Sequence, residues 1–117
     1  MKQRVICVDF DGVIHRYSKG WQDGAIYDPP MEGAKEELER LVSKDYKVII
    51  LTTRLNPEVN DDINLEKNKI SKWLSANGFQ RGTHYHDITA VKPIAGIYID
   101  DRALRFTNWK DMSKYFL

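Results

Sequence analysis

The chain has 117 residues, the length of a single domain, with 42% hydrophobic residues and 30% charged residues of both signs. Its formal net charge is +1, so no global field singles out nucleic acid or an anionic membrane as a partner. A single cysteine, Cys7, excludes an intramolecular disulfide, and no stretch approaches the roughly 18 apolar residues of a membrane span.

The chain enters its first apolar run at Val5-Ile6-Cys7-Val8 and passes at once into Asp9-Phe10-Asp11-Gly12-Val13. An unbroken run rich in β-branched residues predicts a strand buried on both faces, with Cys7 as a small core residue. Side chains two apart on an extended segment share a face, so Asp9 and Asp11 are expected to project together. Carboxylates are costly to bury without a cation, so the end of this strand predicts a metal-binding pocket. With a strand this near the start no signal peptide is expected, and with one cysteine the expected compartment is reducing and cytoplasmic.

Residues 13–30 mix Gly20, Gly24, Pro29 and Pro30 with Tyr17, Trp21 and Tyr27, which predicts a loop or small hairpin overhanging the pocket as a flap. A helix is expected from about Met31 to Lys44, with Ala34, Leu38, Leu41 and Val42 on its inner face. Lys47 to Arg54 reads as a second buried strand. Asp61 to Ala76 reads as a second helix stopped by Asn77-Gly78. Thr83 to Ile88 is a weaker strand expected nearer a sheet edge. Gly96-Ile97-Tyr98-Ile99-Asp100-Asp101 is a fourth strand, expected to be buried. A helical turn near Arg102 to Phe106 and a helix from about Trp109 complete the chain. With no linker or repeat, residues 1–117 are expected to form a single α/β, Rossmann-like domain. Its three layers are a mainly parallel sheet and helices on both faces.

Three predicted strands end in polar groups: Asp9 and Asp11, then Thr52, then Asp100 and Asp101. In open α/β sheets ligands bind beyond the carboxyl ends of the strands, so these groups converge if the strands are parallel neighbours. Lys92, just before Pro93, leads into the fourth strand. Clustered carboxylates are hard ligands suited to Mg²⁺, and an ammonium and a hydroxyl beside them suit phosphoryl oxygens. His15 falls in the flap within reach of a substrate, and the alternating His84 and His86 read as edge-strand residues ahead of metal ligands.

In this order, Asp9-Phe10-Asp11-Gly12-Val13, Val48-Ile49-Ile50-Leu51-Thr52, Lys92 and Ile97-Tyr98-Ile99-Asp100-Asp101 resemble the four motifs of the haloacid dehalogenase-like superfamily. The resemblance implies a phosphatase in which Asp9 attacks phosphorus to form an aspartyl-phosphate and Asp11 shuttles the proton. It implies Thr52 and Lys92 on the phosphoryl oxygens. It also implies Mg²⁺ held by Asp9, the backbone carbonyl of Asp11, and Asp100 and Asp101, with Asp101 as the direct ligand and Asp100 acting through water. Gaps too short for a cap domain make this a capless type with an open site. Arg16, Tyr17 and Trp21 of the flap, with Arg54, are then candidate substrate contacts.

The substrate implied is a phosphorylated small molecule or macromolecule; nucleic acid is compatible but not indicated. A catalytically silent module that binds a phosphorylated ligand, and a phosphotransferase, are the alternative readings. A signalling receiver is disfavoured because its acidic residues and lysine follow a different chain order.

Overall fold

The computed structural model describes residues 4–116. Four strands, β1 (Arg4–Asp9), β2 (Tyr46–Leu51), β3 (Asp87–Thr89) and β4 (Ile97–Ile99), form one all-parallel sheet in the order β3-β2-β1-β4. Helices α1 (Ala34–Ser43) and α2 (Ile63–Ala76) make the crossovers between β1 and β2 and between β2 and β3. The third helix, α3 (Trp109–Ser113), is followed by a 3-10 turn at Lys114–Phe116. The α/β, parallel-sheet, Rossmann-like expectation is what the structure shows.

Successive strand residues face opposite sides of the sheet, and the long helices do not cover both faces as expected: α1 and α2 pack on the same one. Ile6, Val8, Val48, Ile50 and Ile88 lie on one face and join Phe10, Leu38, Ile70, Leu74 and Phe79 in a single buried cluster, so both long helices feed the same core. Cys7 and Ile49, on the other face, are buried too. On that side the link between β3 and β4 spans only residues 90–96 and contains no helix. A parallel crossover normally takes a dozen or more residues. Seven, including Pro93, reach across β2 and β1 only because β3 and β4 are three residues each.

Several boundaries differ from expectation for local reasons. The helix expected from Met31 starts at Ala34, because Met31 N–H is bonded to Ile14 O and Gly33 has φ of 83°. The second strand stops at Leu51, and Thr53–Leu55 turns into a 3-10 segment. The second helix starts at Ile63, capped by the Asp62 side chain accepting from Leu65 N–H, and ends at Ala76 as predicted, with Asn77 as its C-cap and Gly78 beyond it at φ of 86°. The third strand is on the sheet edge as expected but shorter, since residues 80–85 form a turn closed by Gly82 N–H to Tyr85 O. No helical turn forms at residues 102–106.

The fourth strand was expected to be buried and is not: Ile97, Tyr98 and Ile99 are all exposed. β4 is the other edge of the sheet, with no helix before it and none packed closely after it.

The strand order reverses at β1, whose neighbours are β2 and β4. This is the switch point at which open α/β sheets bind ligands. Val8 pairs with Ile99, so the next residues, Asp9 and Asp100, leave the sheet side by side.

Candidate functional site

At that switch point Asp9, Asp100 and Asp101 each offer a carboxylate oxygen within 4.8 Å of the others. They line a cavity of about 220 Å³ together with Asp11, Tyr17, Trp21, Leu51, Thr53 and Arg102. A second cavity of about 840 Å³ shares Asp9, Leu51 and Asp100 with it and carries Cys7, Lys92, Tyr98, Leu104 and Arg105 on its walls. The three carboxylates are a hard, all-oxygen donor set, the class that suits Mg²⁺ or Ca²⁺.

Unscreened, those carboxylates repel one another. Burial, and after it the charge of Asp100, pushes the Asp9 carboxyl up to about 7. The Phe10 backbone N–H, donating to Asp9 Oδ1 at 2.9 Å, offsets this only in part. Burial likewise pushes the Cys7 thiol up, with Asp9 adding to the shift, which fits an inert core thiol.

Asp11 is treated differently. Burial alone would raise its pKa, but hydrogen bonds from His15 and Arg54 outweigh it and the carboxyl is held below its ordinary value. Arg54 donates from Nε to Asp11 Oδ2 at 2.7 Å and from Nη2 to Oδ1 at 3.0 Å, a bidentate pair. His15 Nδ1 lies 2.8 Å from Asp11 Oδ1, and its Nε2 accepts the Asp28 backbone N–H at 3.1 Å. With Nε2 accepting, the ring proton sits on Nδ1 and points at Asp11. Asp9 and Asp11 therefore line one cavity, as expected, but only Asp9 joins the acidic cluster.

The sequence expectations for individual residues need correcting in this light. Arg54 is 0% exposed and engages Asp11, so it is not a substrate contact. Thr52 is 2% exposed, and its hydroxyl accepts Arg54 N–H at 3.2 Å; Thr53 takes its place on the cavity wall. The strand pleat explains this: Asp9 pairs with Leu51, so Thr53 and not Thr52 falls on the face of Asp9. Lys92 lines the larger cavity, its Nζ 4.6 Å from the centre of the Tyr98 ring. Tyr17 and Trp21 line the smaller cavity as expected, whereas Arg16 is exposed and lines neither.

His15 is buried within an aromatic cage of Phe10, Tyr17, Tyr27 and Trp73, out of reach of a substrate. His84 and His86 each accept a backbone N–H at Nδ1, from Gln80 and Val48 respectively, which pins the turn before β3. Arg102 was not singled out from the sequence. It borders the smaller cavity, and its N–H donates to Asp100 Oδ1 at 2.7 Å.

Gly12 shapes the cluster. Its φ is 84°, and a Cβ there would overlap the Asp101 carboxylate. Gly12→Ala should cost about 1–2 kcal/mol from the left-handed backbone and should also push Asp101 out of the cluster. The check is thermal unfolding with and without Mg²⁺: any stabilisation that Mg²⁺ gives the parent protein should shrink in the variant, and an unchanged one would mean that Asp101 takes no part in binding the ion.

No family model, curated protein or solved structure matches this chain, so the site is read from its own residues and geometry.

Proposed function

We propose that this protein is a Mg²⁺-dependent phosphomonoester hydrolase of the haloacid dehalogenase-like type, working through an aspartyl-phosphate on Asp9. The observation that carries the reading is the convergence of Asp9, Asp100 and Asp101 at the sheet's switch point, beside a polar cavity. Asp9, Asp100 and Asp101 would hold the cation, which would screen the carboxylate and phosphate charges and polarise the phosphoryl oxygens.

Asp9 attacks phosphorus as the ester P–O bond breaks, and water then cleaves the acyl phosphate to regenerate the carboxylate. Thr53, at the cavity wall, offers a hydroxyl to the phosphoryl oxygens in place of Thr52. Lys92 reaches them by leaving the face of Tyr98. Asp11, ionised and held by three hydrogen bonds, is suited to accept a proton from the hydrolytic water. Donating a proton to the leaving oxygen is harder for such a carboxylate, which favours leaving groups that depart as stable anions.

The purified protein is therefore expected to release phosphate from an aryl phosphate in the presence of Mg²⁺, to stop on chelation, and to turn over aryl esters faster than alkyl ones. No phosphate release at any Mg²⁺ concentration would refute the hydrolase reading. Binding of Mg²⁺ without turnover would favour the silent phosphate-binding module, a reading supported by the tied-up state of Asp11. A panel of acceptor alcohols in the same assay separates hydrolysis from phosphotransfer.

A further inference from the structure

We infer that Arg54 is a positioning residue that clamps the tip of the flap over the site, and this rests on the phosphohydrolase reading only where turnover is concerned. Its guanidinium joins three parts of the fold. Besides the bidentate pair to Asp11 at the end of β1, Nη1 donates to Gly24 O at 2.6 Å and Nη2 to Ala25 O at 3.4 Å, both on the flap. Nη1 also lies 3.4 Å from Glu66 Oε1 on α2. Trp21 covers the guanidinium at 5.0 Å, and Phe10 lies 5.9 Å from it.

The flap needs such a clamp at one place. Its base is tied by its own bonds: Ser18 N–H and Oγ–H donate to Asp28, and Tyr27 Oη accepts Lys19 N–H and donates to Gly20 O. Trp73 Nε1 fastens that base to α2 through Asp28 O. The tip, residues 21–25, holds Gln22 and Asp23 at φ of 45° and 53°, a left-handed conformation that is strained for side-chain-bearing residues. The two carbonyls that Arg54 grips follow directly after those residues. A lysine cannot replace it, because one ammonium cannot meet a bidentate carboxylate and two divergent carbonyls together.

Breaking the clamp should release the tip, taking Trp21 off the cavity wall, while the sheet stays folded. The test is amide hydrogen exchange on the full chain for Arg54→Lys and Arg54→Met. Gly24 and Ala25, whose N–H groups are bonded within the tip, should lose their protection while β1 and β2 amides keep a measurable share of theirs. Protection of Gly24 and Ala25 that survives in either variant overturns the inference. Should both variants fail to fold, Glu66→Gln decides, since it weakens one arm only: faster exchange at the tip supports the clamp and unchanged exchange overturns it.

Turnover supplies a second, separate readout. The rate on an aryl phosphate should fall in Arg54→Lys, while inhibition by inorganic phosphate stays the same. Inhibition weakened by about tenfold or more would mean the guanidinium grips phosphate directly, and overturns the positioning role. A parent protein that releases no phosphate refutes the hydrolase reading and leaves the exchange result to decide on Arg54.

Discussion

Asp9→Asn is expected to abolish phosphate release, by roughly 10⁴-fold or more, because an amide cannot form the aspartyl-phosphate. The same change should make the metal-free protein more stable at neutral pH. Burial and the neighbouring Asp100 push the Asp9 carboxyl up to about 7 from an ordinary 3.8. The folded state therefore binds the Asp9 proton more tightly than the unfolded chain does. Its penalty is absent below about pH 4, grows as pH rises towards 7, and is constant above that. Asparagine carries no such titration, so unfolding followed in chelator at pH 5 and pH 8 should show a smaller loss in the variant. Asp11 works in the opposite direction. Its lowered pKa contributes stability that is present above the ordinary carboxylate value and is lost as pH falls through the folded one. Retained turnover in Asp9→Asn would remove the nucleophile from the mechanism, and an equal pH slope would remove the charge crowding.

Arg54→Met should be among the most destabilising single changes available to this chain. Removing one partner of a buried ion pair typically costs about 3–5 kcal/mol, against a total stability of roughly 5–15 kcal/mol for a domain. The side chain left behind is Asp11, still holding His15 but stripped of two charge-assisted hydrogen bonds. Adding Asp11→Leu to Arg54→Met should recover part of the loss, since an apolar pair no longer buries an unmatched charge. Recovery is incomplete because Glu66 and the His15 ring proton lose partners as well. Urea unfolding of the two single variants and the double variant measures this coupling directly. A loss in Arg54→Met below about 1 kcal/mol, the size of an exposed pair, would contradict the buried role.

Strands β1 and β2 were legible because a central parallel strand must be apolar on both faces, and Val5 to Val8 and Val48 to Leu51 leave no other reading. The acidic cluster was legible for the same reason: a charged residue directly after such a run has only the strand end to occupy. β4 was misjudged by the same rule. Ile97-Tyr98-Ile99 is as apolar as a central strand, and composition does not reveal that the seven-residue link before it carries no covering helix. The Thr52 assignment slipped by one residue because the pleat is fixed by pairing with β1, which only the register of Asp9 with Leu51 reveals. Arg54 was misread because a basic residue beside a proposed phosphate site invites a substrate role. The signal that pointed elsewhere was Asp11 itself, a near-core carboxylate in need of a cation, with His15 four residues on. Glu66, a buried acid on the inner side of α2, completes that signal.

The two halves of the acidic cluster come from opposite ends of the chain. Asp9 is in place once β1 has paired with β2, a contact made across one α1 crossover. Asp100 and Asp101 arrive only when the last, three-residue strand finds β1, at the end of the seven-residue link from β3. Three residue pairs with β1 hold such a strand weakly, and the like charges that it brings to Asp9 oppose its docking. A divalent cation held by the three carboxylates would reverse that sign and act as a removable cross-link between the first strand and the last. Metal supply would then govern not only whether the site can react but whether the C-terminal segment is joined to the sheet at all.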